Sequence, residues 1–281
     1  MTVVDLAPVV TSLRDLPVLP SIVLDLIHSL ESEDVDVATL AEKMSRDQAL
    51  AAKILRLANS SFYGLAAKVK TVKQAIVVLG FDSARALAVA SNVIDTFGGG
   101  AGGARRVDAA DFWRHSIATA LCAKNLAGRA GLDPDAAFIA GLLHDIGRLV
   151  LAISFPDRYA EVLDDCERND ATVDAAELRV FGLDHQRAGQ MLAEAWKFPP
   201  LIQRAIGQHH APAGADLGDL PGVVHAANAM VHALELGGGR HVAVPRLLDA
   251  AWDSLGLTPD HLLAVCRETE GQFEEACRLL M

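Results

Sequence analysis

The residues of this 281-residue chain best suited to chemistry are histidines and carboxylates. Of its ten histidines, six fall with two carboxylates and one amide at helix ends or one turn inside them. They are Asp111, His115, the doublet His144-Asp145, His185, the doublet His209-His210, and His225 with Asn228. Asp111 and His115 are four apart and share a helix face, where an imidazole and a carboxylate can grip one cation. His144-Asp145 follows the apolar run Phe138-Ile139-Ala140-Gly141-Leu142-Leu143, which carries two ionisable groups into a core. Burying them unpaired costs several kcal/mol, which a metal ion or strong hydrogen-bond partners would offset. His209 and His210 project about 100° apart on a helix, so two neighbouring metals, or one metal and one substrate contact, would use both. Nitrogen and oxygen donors without thiolates suit Fe, Mn, Zn, Co or Ni. The competing reading is structural: the histidines and Asp145 hydrogen-bond one another and lock helices together.

Helices must position these groups. The N-terminal half reads as a helix capped by Ser21, a second over Asp36 to Ser45, a third capped by Asp47, and a fourth begun by Thr71. The next runs from Ser83 to Phe97. Gly98 to Ala104 reads GGGAGGA; it follows no strand and lacks the Lys-Ser/Thr of a phosphate loop, so it is a flexible boundary. Helices are then expected at Asp108–Ala130, from Pro134 to about Asp145, and over Phe155–Asn169 and Val173–Phe181. Asp184 caps one to Trp196, Pro200 opens one to His209, and others cover Leu220–Leu236, Pro245–Ser254 and Pro259 to the end. No period-2 strand is evident, and the fold class is all-α. Composition agrees: hydrophobic residues are 51%, aromatics only 5%, and Ala and Leu dominate.

The formal charge of −11 argues against a general binder of nucleic acid or anionic lipid. The four cysteines form no CxxC pair and read as thiols in a reducing compartment. Met1 to Leu16 carries Asp5 in its apolar part and no basic residue before it, a poor signal peptide. No uninterrupted apolar stretch approaches the ~18 residues that span a membrane, so the expectation is cytoplasmic, with no membrane partner.

Several segments resemble the HDOD family, a bacterial branch of the HD superfamily of metal-dependent phosphohydrolases. LPVLPSIVLDLI, DQALAAKILRLANSSFYG and VKQAIVVLGFDSARALAV are similar to its N-terminal helical half. FWRHSIATA, AGLLHDIGRLVL, LDHQRAGQMLAEAWKFP, IQRAIGQHH and VVHAANAM are similar to its HD-like half. The resemblance runs roughly from Leu16 to Leu236 and implies an N-terminal helical subdomain over 1–97 and an HD-like helical subdomain over 105–240, divided by the glycine loop at 98–104; the less diagnostic residues 241–281 are read as C-terminal helices. It also implies a metal set. His115, His144, Asp145 and Asn228 stand where catalytic HD proteins hold metal, although Asn228 lacks the negative charge of the usual Asp. Asp111, His185, His209 and His210 correspond to further ligands of the cyclic-dinucleotide phosphodiesterase branch, Asp111 standing where that branch has Glu, and the branch's GYP motif is absent after His210. If catalysis occurred, one or two divalent ions would polarise a phosphate beside Asp145, and Arg148 would stabilise the phosphoryl oxygens.

The missing charge and motif weigh against hydrolysis. The resemblance therefore implies a regulatory, signal-transducing protein that acts through a signalling protein partner or a nucleotide ligand, with or without metal. A metal-dependent phosphohydrolase and a nucleic-acid-binding regulator are the alternatives, and self-association stays open. From Gln48 to Phe81 there is no Asp or Glu, while Lys53, Arg56, Lys68, Lys70 and Lys73 lie there. That stretch reads as a docking face or, alternatively, as a set of cations paired within the molecule. Thr39 to Asn59 superficially resembles helix-turn-helix but offers few base-reading groups.

Overall fold

A computed structural model describes residues 19–31, 36–60, 68–98, 107–237 and 245–281. The described residues contain helices and no strand. The N-terminal layer holds α1 (Ser21–His28), α2 (Val37–Arg46), α3 (Gln48–Ala58), α4 (Val72–Leu79) and α5 (Phe81–Gly98). Its caps are the side chains the sequence offers: Asp36 accepts from the Thr39 N–H, Asp47 from Leu50 and Thr71 from Gln74. Ser21 is not a cap. It lies inside α1, behind Pro20, and no side chain caps that helix. The glycine stretch after Gly98 lies outside the described residues.

Three helices form the centre: α6 (Ala109–Ala130), α7 (Pro134–Leu143) and α13 (Leu220–Ala233). Every residue from 136 to 143 and from 220 to 231 is buried. Helices apolar all round belong in a core, where each fully buried large aliphatic side chain contributes about 1.5–3 kcal/mol. His115, the His144-Asp145 turn and Asn228 therefore enter the molecule on its most buried elements. α5 packs against α7, and one cluster of buried apolar side chains runs from Leu19 to Leu280. The C-terminal helix α15 (Pro259–Leu280) lies on α6, burying Phe273 and Cys277 and pairing Arg114 with Glu274 and Arg129 with Glu268. α14 covers only Asp249–Ser254; residues 245–248 are not helical. In that segment the Leu248 N–H donates to His225 instead of to a helical carbonyl.

The outer layer of the HD-like half holds α8 (Ile146–Ser154), α9 (Pro156–Asn169), α10 (Val173–Phe181), α11 (His185–Ala195) and α12 (Pro200–Gln208). The apolar run does not end the helical path at Asp145: the chain turns at His144-Asp145 and α8 restarts, burying Leu149, Val150 and Leu151. The most apolar 18-residue window of the stretch 134–154 has a mean hydropathy of 1.7, and 89% of that window is packed inside the fold.

The α8–α11 crossing brings Asp145 and His185 together. It has room for hydrogen only: a Cβ on Gly147 would lie 2.0 Å from the His185 carbonyl oxygen and 2.6 Å from the Gly189 nitrogen. Backbone cannot yield as a flexible side chain would. Gly147→Ala should destabilise the protein by about 1–3 kcal/mol in urea denaturation, since overpacking in a dense core carries that penalty. Wild-type stability in that variant would show that the helices do not cross this closely.

Candidate metal centre

The centre is built around the turn between α7 and α8. Asp145 stands at the N-cap position of α8, yet its carboxylate caps no N–H of that helix. It faces inward, 4% exposed. Its Oδ1 lies 3.3 Å from His185 Nε2, 3.4 Å from His209 Nε2 and 3.7 Å from His144 Nε2. His185 Nε2 is in turn 3.3 Å from His209 Nε2 and 3.0 Å from His210 Nε2. Asp145 Oδ2 accepts from Arg148 Nη1 at 2.9 Å.

The protons on these rings are set by their other nitrogens. His144 Nδ1 donates to the Gly141 carbonyl at 2.7 Å, and His209 Nδ1 donates to the Ile206 carbonyl at 2.8 Å. A carbonyl only accepts, so each Nδ1 carries the hydrogen. Both Nε2 atoms face a carboxylate that can donate nothing back. His144 Nε2 is buried without any hydrogen-bond partner. Burial pushes the His144 pKa down to about 3, although Asp145 opposes it. The ring is therefore neutral, and its contact with Asp145 is no ion pair. Burial, then the neighbouring imidazoles, also lowers His115 and His210. Burial alone would raise the Asp145 pKa, but the Arg148 guanidinium and the His185 imidazolium outweigh it and hold the carboxyl well below its usual range.

Lone pairs and a carboxylate converging in a dry interior are what a cation resolves. Metal–nitrogen bonds of about 2.0–2.1 Å place adjacent ligands about 2.8–3.4 Å apart in octahedral or tetrahedral sites, a spacing that most of the measured separations match. The residues present fit a divalent ion. Two donor groups, His185/His209/His210 and His115/His144/Asp145, each have ligand atoms within 4.8 Å of one another. Asp145 joins the two.

Asn228 is beside His115, its amide oxygen accepting from Nε2 at 3.1 Å, which ties that nitrogen to position 228. Asp111 is in the first turn of α6 and belongs to neither donor group. His225 is a strut: its Nδ1 donates to the His209 carbonyl at 2.8 Å while its Nε2 accepts from Leu248. Lys53, read from sequence as part of a docking face, pairs with Asp95 across α3 and α5, so that cation is neutralised within the molecule.

Sequence reasoning missed Glu177, Tyr159 and His232. Glu177 is fully buried on α10. It accepts from the His185 backbone N–H at 2.7 Å, from His185 Nδ1 at 2.6 Å and from the Tyr159 hydroxyl at 3.1 Å. A carboxylate behind an imidazole fixes its tautomer and strengthens its other nitrogen as a ligand. Burial alone would lower the His185 pKa, but Glu177 and Asp145 together raise it to about 9. His232 packs on His115 with ring centroids 4.6 Å apart. The available signal was weak: a single Glu in the otherwise ordinary helix VDAAELRVF.

The sequence model of the HDOD domain family matches residues 16–212. An HDOD domain protein of unknown function from Geobacter sulfurreducens superposes with a TM-score of 0.80 at 26% identity, covering 98% of both chains. A Shewanella amazonensis protein whose name proposes a phosphohydrolase gives 0.76 at 28% identity, again over 98% of both. A Marinobacter aquaeolei protein whose name proposes signal transduction gives 0.78 at 25% identity, over 95% of this chain and 60% of its own. A curated, uncharacterized protein of Treponema pallidum is 25% identical over 212 residues, and the chain spans 39% of that relative's length.

These protonation states set a pH profile for metal-free protein. From about pH 3 to 6.5 the unfolded chain binds a proton that native His144 refuses, so stability rises with pH. From 6.5 to about 9 native His185 keeps a proton the unfolded chain has lost, so its contribution falls. Stability, measured by denaturation in chelator, should therefore peak near the ordinary histidine pKa. Glu177→Gln should flatten the alkaline limb; an unchanged limb in that variant would contradict the assignment.

Proposed function

The chain belongs to the HDOD domain family, and from that premise we propose that it is a regulatory, signal-transducing member whose buried histidines and Asp145 hold one divalent metal ion. The observation that carries this reading is how the anionic capacity of the centre is used. Asp145 Oδ2 is taken by Arg148, and position 228 is a neutral amide bonded to His115. One anionic oxygen, Asp145 Oδ1, faces the histidines. That supports a site for one ion and leaves a second ion without a bridging carboxylate.

Burial supports the same reading. His115, His144, Asp145, His185, His209 and Asn228 are each at most 9% exposed. An ion held by His144, Asp145, His185 and His209, with His210 beside them, would join the α7–α8 turn to α11 and α12 and supply Lewis acidity to any phosphate that reached it. The edge of the centre that reaches solvent is formed by Arg148 and half-buried His210. A small anionic ligand such as a nucleotide would meet the site there, and a change at this edge is how the module would convey a signal.

Hydrolysis is the second reading, favoured by the nearly complete donor set with an arginine beside it. The experiment that separates the two is metal analysis of protein purified without chelator, followed by assays of bis(p-nitrophenyl) phosphate and a cyclic dinucleotide in added Mn or Fe. The expected result is about one metal per chain, a lower melting temperature in EDTA and no turnover above background. Metal-free protein that gains no stability from Mn, Fe or Zn would sink the metal reading. Metal-dependent turnover by the wild type would instead make it an enzyme. Asn228→Asp supplies the missing charge, and it should raise metal content toward two ions.

A further inference from the structure

The acid-free stretch of the N-terminal half has a second consequence once Lys53 is set aside. Asn59, at the end of α3, clamps the chain that follows: its Nδ2 donates to the Leu55 carbonyl at 2.7 Å and to the Val69 carbonyl at 2.8 Å, and its Oδ1 accepts from the Val69 N–H at 2.8 Å. Val69 is thereby buried, with Lys68 and Lys70 exposed on either side of it, next to the last turn of α3 where Arg56 is exposed. The Lys70 N–H donates to Gln74 and Thr71 caps α4, so the strap runs directly into that helix. α4 buries Val72 and Ala75 and turns Lys73, Gln74, Val77 and Val78 outward. Val77 is 84% exposed and Val78 47%.

Two features of this face are unfavourable in isolation. Lys73 lies in the first turn of α4 with Lys68 and Lys70 just before it, where the helix dipole disfavours cations, and no acidic residue stands in that turn. A valine at 84% exposure leaves nearly its whole side chain in water. The nearby acids among the described residues do not compensate. Asp25 pairs with Lys43, Glu42 with Arg46, Asp82 with Arg85 and Asp95 with Lys53, while Asp36 and Asp47 cap helices. Arg56, Lys68, Lys70 and Lys73 have no ion pair among the described residues.

We infer that Arg56, Lys68, Lys70 and Lys73 with Val77 and Val78 form a docking face for an acidic protein segment that carries apolar anchors. Charge complementarity selects the acidic partner. The valines select a protein over nucleic acid, since a phosphate backbone has nothing to cover them and the chain as a whole is at −11. The face lies on the N-terminal layer, away from the residues of the metal centre, and the inference does not depend on whether metal is bound.

The test uses the full chain and a synthetic amphipathic helix with Glu on one face and Leu on the other, followed by fluorescence anisotropy. Lys70→Glu with Lys73→Glu should weaken binding about tenfold or more, as charge reversal at an interface does, and raising salt from about 50 to about 300 mM should weaken the wild type similarly. Val77→Asp should weaken it too, while Val77→Thr, which keeps the fold and the shape, should weaken it less. Circular dichroism and metal content serve as folding controls. Binding that ignores both the lysine and the valine variants overturns the proposal. So does duplex or single-stranded DNA that binds more tightly and is lost in the same lysine variants, which would make the face a nucleic-acid surface. Self-association that these variants abolish would overturn it in favour of a second copy as the occupant.

Discussion

The carboxylate of Asp145 is the constraint on which the HD-like half depends. It is buried, ionised and approached on one oxygen by three imidazoles, two of which have their donor hydrogens committed to backbone carbonyls. Such a group is tolerated in a core only with strong compensation. Arg148 supplies part of it on Oδ2, and protonated His185, backed by Glu177, supplies part on Oδ1. The neutral His144 edge adds little unless a cation stands between it and the carboxylate. The helix arrangement follows from this: the α7–α8 turn delivers Asp145, the glycine crossing of α8 and α11 delivers His185, and the end of α12 delivers His209 and His210.

The same electrostatics separate a regulatory reading from a catalytic one. A hydrolytic pair of ions would need further negative charge, and the position that resembles a ligand for it holds Asn228, hydrogen-bonded to His115. Arg148, which the family resemblance would cast as a stabiliser of phosphoryl oxygens, holds Asp145 in place here. The N-terminal layer contributes no residue to either donor group. Its exposed cations and valines face outward from α3 and α4, so the proposed metal site and the proposed docking face lie on different elements of the fold.

Much of this was legible in the sequence because its determinants are local. Asp36, Asp47, Thr71, Asp108 and Asp184 cap the helices they precede, and Gly131 ends α6 in a left-handed conformation. The donor doublets His144-Asp145 and His209-His210 announced themselves by adjacency and by the apolar run before the first. What escaped was tertiary. Glu177 is one acid among many until α10 is folded against α11. Lys53 looks free until Asp95 arrives from a helix 42 residues on. The α8 restart was hidden because GRLVLAIS continues an apolar stretch whose break is a turn made by the functional doublet itself. Pro245 looked like a helix start, but the following segment serves His225 with a backbone N–H, which a helix beginning there would not present.

The central claim is that Asp145 Oδ1 and the surrounding imidazoles form a site for a single ion. The most direct measurement is an anomalous-difference map, recorded at the metal's absorption edge, from crystals grown in the presence of Mn, Fe or Zn. One peak per chain is expected, ligated by Asp145, His144, His185 and His209, with Arg148 still on Asp145 Oδ2. Two peaks bridged by Asp145, with Arg148 displaced, would contradict it, as would an unoccupied cluster in saturating metal.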